Sequence, residues 1–441
     1  MDTLPEMIEE AFKDSSDFVK QDLGRMGQEQ YYAYFLRTLA ASARLTYVLN
    51  RDGDRGLSAF LERYEGSTVQ EADLAACEKA LCEGQTVLCP AGASSGIILE
   101  TSQTQQRSIQ SPSTENVLHG PMYSFNENLS TNIALIRQRV HSSKLKNQTF
   151  SIGEIGRTQV SLLYVQSMAE TSLIRNLQLR LNEIRIPDLE DSGQLLRLLV
   201  KDKGMQLFPR SMATERPDRA ASALLKGKVV LLVDGSPFAL IVPVVFTDFW
   251  HSPEDTYLSP YVAYFLTTLR FLALFINLFL PAAYVALTSV NVDVNRLEIS
   301  LSASASREGV PYPVIIETVL MLLVIDFIVE AGVRLPKTIG STVTMVGGVV
   351  LGQAVIQANI VSNLLVFIVA ATAITNFIVI DYQMGLIQRM LKYIVLAGAG
   401  IAGLLGMMFC FACLVFYLSC LESFGKPYLT SLLPEKERSG P

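Results

Sequence analysis

The chain has 441 residues, of which 50% are hydrophobic and 18% are charged. Its formal net charge of -6 and the lack of a basic patch argue against nucleic acid as a partner. Its 3 His residues lie in different contexts, and the sequence shows neither a phosphate-binding loop nor a hydrolase nucleophile elbow. We therefore expect no enzymatic activity, no cofactor and no metal site.

The first 264 residues have the mixed composition of soluble domains. They hold 58 of the 78 charged residues, 32 acidic and 26 basic. Met1 to Lys20 is acidic and polar and lacks the apolar core of a signal peptide, so we expect this region to stay in the cytoplasm. About 260 residues can build one large or two small globular domains.

An internal duplication runs through this region. Three pairs of segments match in order: Arg44 to Val48 with Ser161 to Val165, Ala80 to Gly92 with Ala223 to Gly235, and Gly96 to Leu99 with Ala239 to Val242. In each copy, the last two segments together have the pattern helix end, Gly turn, strand, Gly turn and strand. Apolar residues have helical spacing elsewhere in the region. We predict two related α/β subdomains, residues 1–120 and 121–260.

The remainder reads as a helical membrane domain, residues 261–421, and a C-terminal tail, residues 422–441. Thr338 to Ile380 runs 43 residues without a charge, which suffices for two crossings of about 20 residues each. Its polar cluster, Gln353, Gln357, Ala358 and Asn359, is the predicted turn. Three more apolar windows complete the set: Phe265 to Val290, Val314 to Ala331, and Ile394 to Leu421.

The predicted fold class is thus an α+β membrane protein, with two cytoplasmic α/β subdomains followed by about five transmembrane helices. With five spans, Arg334 to Lys337 and Tyr382 to Tyr393 are predicted cytoplasmic loops because each carries two basic residues. The C-terminal tail then lies on the opposite side of the membrane.

Phrases distributed over nearly the whole chain resemble one known family. They include Arg107 to Ile109, Glu115 to Pro121, Phe125 to Arg137, Thr214 to Asp218, Val233 to Phe238, Ser252 to Asp255, Ser306 to Pro313, Glu330 to Pro336 and Val346 to Gln353. On these motifs the chain resembles the GerA family of spore germination proteins, specifically the A-type subunit. The stage V sporulation AF-type paralogues share this layout. Thr344 and Asn359 depart from the pattern, because each stands where the family has glycine.

The resemblance implies a subunit of a nutrient germinant receptor in the spore inner membrane, with its N-terminal region in the cytoplasm. It implies a homo-oligomer, with a pentamer expected, around an ion-conducting pore. Its implied partners are a transporter-like B subunit, which binds the nutrient, and a lipoprotein C subunit.

The residues give a partly independent argument for a channel. Asp326 lies inside an apolar span, where a carboxylate costs a few kcal/mol unless it is paired or faces water. Gly340 to Gln357 is rich in small and neutral polar residues, which either line a pore or pack a central helix. The candidate pore and gating residues are Asp326, Thr344, Gly347, Gly348, Gly352, Gln353, Gln357 and Asn359.

Four charged residues are candidates for structural or coupling roles. Glu330 and Arg334 are spaced for an ion pair at the membrane edge. Arg307 and Glu308 lie between two spans and either couple movement to the pore or belong to a plain loop. Glu317, near the start of its span, is expected at the interface rather than in a functional site.

Two enzyme-like patterns fail on context. Gly398, Gly400 and Gly403 match a dinucleotide-binding spelling but lie inside an apolar span, so helix packing is the preferred interpretation. Cys410 and Cys413 have the spacing of a redox or metal motif, but they too lie inside an apolar span with no further ligands nearby. The cysteines are expected to be free thiols.

Two other functions stay open beside a gated ion path: a non-conducting assembly or signalling subunit of the receptor, and an ion-coupled secondary transporter that uses Asp326.

Overall fold

The computed structural model describes residues 3–26, 29–40, 71–92, 94, 96–102, 112, 115, 120–200, 206–291, 307, 309–335, 348 and 352–430. The chain forms two compact units. The first comprises Met1–Gly204 and Arg210–Val244, and the second comprises Met205–Pro209 and Val245–Pro441.

Two five-stranded antiparallel sheets form the first unit. The strands of one are β1 (Phe18–Met26), β2 (Glu29–Leu36), β3 (Glu71–Ala72), β4 (Thr86–Pro90) and β5 (Gly96–Leu99), in the order β1-β2-β4-β5-β3. The strands of the other are β6 (Leu145–Ile152), β7 (Thr158–Val165), β8 (Met212–Thr214), β9 (Val229–Val233) and β10 (Ala239–Val242), in the order β6-β7-β9-β10-β8. The order is the same in both sheets, so the predicted duplication is confirmed at the level of topology.

In the part of the chain that the structure describes, six helices accompany these sheets: α1 (Leu4–Ala11), α2 (Leu74–Cys82), α3 (Leu129–Arg137), α4 (Thr171–Glu183), α5 (Ser192–Leu199) and α6 (Pro217–Leu225). The predicted α/β character of the N-terminal region is therefore confirmed. Helices α2 and α6 each precede the fourth strand of their own sheet, as the matched segments indicate.

The conformation of two turn glycines explains why the duplication can be recognised in the sequence. Gly84 and Gly227, the turn glycines after α2 and α6, have φ of +88° and +76°, a region that side chains with a Cβ rarely adopt. A Cβ would also meet the Leu39 carbonyl oxygen at 3.1 Å in the first case and the Met168 carbonyl oxygen at 2.6 Å in the second. Leu39 and Met168 each follow the second strand of their sheet.

This equivalence corrects the upstream part of the alignment. The strand that corresponds to β7 is β2, which ends at Leu36 as β7 ends at Val165. Residues 44–48, which we matched to Ser161 to Val165, lie outside the described residues. Short aliphatic strands resemble one another in sequence, and only the pairing with β4 or β9 separates them.

A buried ion pair links the two halves of this unit. The Arg137 guanidinium donates from Nε to Asp17 Oδ2 at 2.6 Å and from Nη2 to Asp17 Oδ1 at 2.7 Å. The side chains are 2% and 5% exposed. Thr38 Oγ1 also donates to Asp17 Oδ2, at 2.9 Å. The bidentate geometry fixes α3 against the segment that enters β1.

The second unit consists mainly of apolar helices. These are α7 (Pro260–Val285), which continues as a π-helical turn (Ala286–Val290), α8 (Val314–Arg334), a short helical stretch at residues 352–357, α9 (Asn363–Asn376) and α10 (Tyr382–Cys420). Among the described residues, Pro260–Val290 and Tyr382–Cys420 are long and apolar enough to cross a membrane. The prediction of five spans is not confirmed, because α9 has 14 residues and α8 carries several charges.

Helix α10 is not one straight rod. Ala402 and Gly403 have non-helical backbone angles, with φ of +61° at Gly403. Cys410 Sγ lies 3.9 Å from the Ile394 carbonyl oxygen, although 16 residues of straight helix would separate them by about 24 Å. The chain therefore reverses, and residues 404–420 run back along residues 382–401. We predicted one continuous span from Ile394 to Leu421 and a loop from Tyr382 to Tyr393. Both predictions are wrong.

The reversal uses the glycines of the rejected dinucleotide pattern. A Cβ on Gly406 would lie 2.0 Å from the Gly398 carbonyl oxygen, and one on Gly403 would lie 1.9 Å from Asn291 Oδ1. Asn291 Oδ1 accepts a hydrogen bond of 2.9 Å from Leu404 N, which satisfies a backbone donor at the start of the returning arm. Close packing of helices is thus the role of these residues.

The C-terminal segment returns to the starting end of α7. A hairpin of β11 (Glu422–Ser423) and β12 (Lys426–Pro427) precedes the buried Tyr428, whose carbonyl oxygen accepts from Phe246 N at 2.9 Å. Tyr428 also packs against Phe249. The expectation that the tail lies on the side opposite to the start of α7 is therefore wrong, because the reversal in α10 brings the chain back to that end of the unit.

Candidate functional site

The stretch of small and amide residues is partly exposed where the structure describes it. Gln353 and Gln357, four residues apart, lie on one face of the 352–357 helix and are both exposed. A Cβ on Gly348 or Gly352 would have no described atom within 4 Å. Thr344 and Gly347 lie outside the described residues. No described part of this chain covers the face that Gly348 and Gly352 present.

Asn359 ends this helix as a C-terminal cap. Its φ is +51°, Asn359 N donates to the Ile356 carbonyl at 3.0 Å, and Ile360 N donates to the Val355 carbonyl at 3.1 Å. This pattern is a Schellman motif, in which Gly is preferred at the left-handed position and Asn is the usual substitute. The predicted turn thus begins at Ala358, whereas Gln353 and Gln357 belong to the helix. The cap also accounts for the departure from the family glycine.

Asp326 is paired across two helices. Its Oδ1 accepts from Lys392 Nζ at 2.9 Å, and its Oδ2 accepts from Tyr393 Oη at 2.6 Å. Lys392 is buried, with 5% of its side chain exposed, whereas 20% of the Asp326 side chain is exposed. Lys392 belongs to the segment that we predicted as a cytoplasmic loop. Its helical conformation places the ammonium beside the carboxylate and compensates the charge within the unit.

Glu330 and Arg334 form the predicted pair on α8. Arg334 Nη2 and Nε both donate to Glu330 Oε1, at 2.8 and 3.0 Å. Both side chains are exposed, at 45% for Glu330 and 78% for Arg334. An exposed pair of this spacing contributes only a few tenths of a kcal/mol in water. Its geometry suits an anchor at the end of α8.

The most buried charge of the second unit lies on Glu317, which we expected at the interface. Its side chain is fully buried, and Oε1 accepts from Ser362 N at 2.6 Å, at the start of α9. Oε2 lies 3.5 Å from Arg307 Nε. The interfacial assignment is wrong, because a helix N-terminus and a guanidinium together compensate the carboxylate. Glu308, the neighbour of Arg307, lies outside the described residues.

Ser362 makes this site a junction of four elements. Its hydroxyl lies 3.1 Å from Tyr284 Oη of α7 and accepts from Leu365 N within α9. Its backbone N–H is held by Glu317 of α8, and Arg307 approaches from the segment before α8. We call Arg307, Glu317, Ser362 and Tyr284 the Glu317 cluster. It fixes one end of the turn whose other end is the cap at Asn359.

Sequence reasoning missed Glu317, Ser362 and Lys392. A charge at the start of an apolar helix indicated a membrane edge, and only the contact between residues 45 positions apart reveals the burial of Glu317. Charge pairing offered a usable signal. The Asp326 carboxylate in an apolar helix needs a cationic partner, and Lys392 was available in the sequence. The described residues contain no group of three or more His, Cys, Asp or Glu that could hold a metal ion.

Three cysteines of the first unit, Cys77, Cys82 and Cys89, form no disulfide and are buried. Burial raises the pKa of Cys77 and Cys82 to about 11 and that of Cys89 to about 12. Thiolate is the nucleophilic form, so these side chains behave as small apolar groups at neutral pH.

Comparison with known proteins gives consistent matches. The family model described as Bacillus/Clostridium GerA spore germination protein matches residues 6–439. Spore germination protein A1 of Bacillus subtilis (strain 168) is 39% identical over 352 residues, which cover 80% of this chain and 73% of that protein. Spore germination protein B1 of the same organism is 35% identical over 380 residues, which cover 86% and 78%.

One solved structure is also similar to part of the chain. It is the N-terminal domain of the A subunit of the Bacillus megaterium spore germinant receptor GerK3, with 23% identity and a TM-score of 0.42. The match covers 55% of this chain and 96% of that one.

Proposed function

We propose a role in spore germination from one premise: this chain belongs to the GerA family of Bacillus/Clostridium spore germination proteins. The observation that carries the proposal is the family match, which extends from residue 6 to residue 439 and so includes both units. In this proposal the chain is the A subunit of a nutrient germinant receptor in the spore inner membrane. Residues 1–120 and 121–260 are its cytoplasmic subdomains, residues 261–421 its membrane domain and residues 422–441 its tail.

The A subunit works, on this proposal, with a transporter-like B subunit and a lipoprotein C subunit, and it assembles with copies of itself. The open face at Gly348 and Gly352 supports the assembly. Glycines at a spacing of four let two helix backbones approach closely in a membrane, and no described residue of the chain fills that face. A helix of a second copy is the natural occupant.

We further propose that the assembly encloses a gated ion path lined by the segment from Thr344 to Gln357. Gln353 and Gln357 are exposed and uncharged, and amide oxygens can replace part of the hydration shell of an ion. The charges of the neighbouring helices are compensated by partners, as Asp326 is by Lys392. Such a path therefore presents neutral polar groups, and the role of Asp326 is to hold α8 against α10.

The Glu317 cluster is the proposed gating connection. It holds Ser362 at one end of the turn that follows the 352–357 helix, and Arg307 reaches it from the segment before α8. Movement of the Arg307 segment therefore acts on the turn directly. Arg307 and Glu308 keep the coupling role predicted for them.

The test is ion flux from liposomes that contain the purified full chain. Gly352→Leu should change the flux, because the new side chain fills the space in which a second backbone approaches. Val355→Leu, on the same helix, is the matched control and should leave flux close to that of the unchanged protein.

Cross-linking of the same samples separates assembly from conduction. Loss of the oligomer together with flux in Gly352→Leu supports the interface. Equal flux in Gly352→Leu and the unchanged protein would refute the proposed path. A stable oligomer without flux under any condition would leave a non-conducting assembly subunit.

A further inference from the structure

A layer of buried amide and hydroxyl side chains lies where α7, α9 and α10 meet. Asn277 of α7, Thr372 of α9 and Gln388 of α10 are 0%, 1% and 2% exposed. Thr375, one turn after Thr372, is also buried. None of these residues belongs to the Glu317 cluster or to the proposed ion path.

Two contacts show which residues of α7 and α9 lie beside each other. Tyr284 Oη lies 3.1 Å from Ser362 Oγ, and Asn277 Nδ2 donates to the Thr372 carbonyl oxygen at 3.0 Å. Lower numbers on α7 therefore match higher numbers on α9, so the two helices are antiparallel. The Asn277 side chain reaches across to the backbone of α9.

The first arm of α10 runs parallel to α7 from the same end. Asn291, after α7, accepts from Leu404 N at the reversal. Asn277 precedes Asn291 by 14 residues, and Gln388 precedes residue 401, the end of the first arm, by 13, which correspond to about 21 and 20 Å of helix. The two amides thus lie at the same level to within about one helical turn.

A second contact confirms this level independently. With its amide oxygen turned toward α10, Asn376 accepts from Arg389 Nε at 3.0 Å and from Nη2 at 3.2 Å. Asn376 lies one turn beyond Thr372, and Arg389 is adjacent to Gln388. Helix α9 therefore bridges Asn277 and the region of Gln388.

Three polar atoms of this layer have no hydrogen-bond partner among the described residues: Asn277 Oδ1, Gln388 Oε1 and Gln388 Nε2. Buried polar groups nearly always have a hydrogen-bond partner, because an unpaired group loses its hydrogen bonds to water and gains none in exchange. The Asn277 backbone carbonyl also lacks its usual intrahelical donor, because Pro281, four residues on, has no N–H. Two buried amide oxygens thus have no partner among the described residues, and a nearby backbone carbonyl lacks its usual donor.

We propose that this layer binds a monovalent alkali cation, with Asn277 Oδ1, Gln388 Oε1 and the Asn277 carbonyl as its protein ligands. Neutral carbonyl and amide oxygens suit a monovalent ion, because they replace its hydration shell at low charge. A divalent ion would require carboxylates, and the layer has none. A water molecule retained by the ion accounts for the remaining donor, Gln388 Nε2.

The site differs from the proposed ion path, and the inference does not rest on conduction. It ties α7 to α10, so the expected consequence is stabilisation of the second unit by the ion. Binding to the folded state alone raises the melting temperature as the free ion concentration increases.

The experiment measures the melting temperature of the purified full chain in detergent with Li⁺, Na⁺ or K⁺ chloride against choline chloride at equal ionic strength. We expect one alkali ion to raise it by about 3 °C or more with saturation. Gln388→Met, of similar shape, and Asn277→Leu should lose the ion-dependent rise. Thr268→Val removes a hydroxyl on α7 that donates only to the Tyr264 carbonyl, and it should keep the rise.

Gln388→Glu keeps the proposal testable if the apolar variants do not fold. The added negative charge should lower the half-maximal ion concentration by tenfold or more. Equal melting temperatures in all four salts, or an unchanged ion dependence in Gln388→Met or Gln388→Glu, would overturn the site. Because flux is not measured, failure here is distinguishable from failure of the proposed ion path.

Discussion

Replacement of Arg137 by Met should destabilise the first unit more than any exposed charge change. The guanidinium makes two short hydrogen bonds to Asp17, and both side chains are almost fully buried. Met retains much of the apolar length of Arg but leaves the Asp17 carboxylate buried with the Thr38 hydroxyl as its remaining side-chain donor in the described residues. Loss of one partner of such a pair costs about 3–5 kcal/mol.

The double replacement Asp17→Leu with Arg137→Met gives the comparison that separates charge from packing. Without the carboxylate no uncompensated charge remains, so the double variant should be at least about 2 kcal/mol more stable than Arg137→Met. Lys13→Met is the exposed control. Lys13 lies 3.3 Å from Glu10, with side chains 64% and 75% exposed, and its loss should change stability by less than about 1 kcal/mol.

Hydrogen exchange of the full chain in detergent reads this unit directly. Amides in β1, β2, β6 and β7 should exchange faster in Arg137→Met by about two to three and a half orders of magnitude, since about 1.4 kcal/mol corresponds to a factor of ten. If Arg137→Met exchanges like Lys13→Met, water screens the pair in solution and the argument fails. If only the β6–β7 amides respond, the pair does not link the two halves.

Three other outcomes follow from local features. Gly403→Ala should lower the melting temperature in detergent, because the new methyl would meet Asn291 Oδ1; Gly385→Ala, with open space at its Cβ, should not. Asn359→Val should be less stable and Asn359→Gly equal or more stable, because φ is +51°; equal losses would contradict the cap. The buried thiols of the first unit, with pKa values of about 11 to 12, should resist maleimide at pH 8 until the chain unfolds. Their stabilising effect is complete below the unfolded thiol pKa, about 9, and is lost as pH rises toward 11 to 12. The urea midpoint of first-unit peptides should fall across that range, and fast labelling of Cys77, Cys82 or Cys89 in the folded chain would refute the burial.

The duplicated subdomains could be predicted because local backbone conformation restricts which residue types occur at certain positions. A turn that requires positive φ selects glycine, so Gly84 and Gly227 stand at matching positions with aliphatic strands after them. The same logic applies to Asn359, where a left-handed cap tolerates Asn. Local sequence does not determine which aliphatic strands pair with each other. For that reason β2 was not recognised as the strand equivalent to β7.

The second unit was harder because its decisive contacts are distant in sequence. The reversal in α10 depends on Asn291, which lies 113 residues before Leu404, and an apolar run with several glycines is equally compatible with a straight span. Glu317 and Ser362 are 45 residues apart. Hydropathy reports the length and composition of a segment, whereas burial of a charge depends on partners that only the folded chain brings near.

In the proposed membrane location, the reversal at Gly403 makes the two arms of α10 a hairpin whose assembly depends on an earlier part of the chain. The arms, residues 382–401 and 404–420, are each close to the length that crosses a membrane, so they can enter together as a hairpin. The returning arm obtains a partner for Leu404 N only when Asn291 is already in place. A chain that stops before Leu404 would lack the returning arm, and the close approach of Gly406 to the Gly398 carbonyl oxygen would be lost.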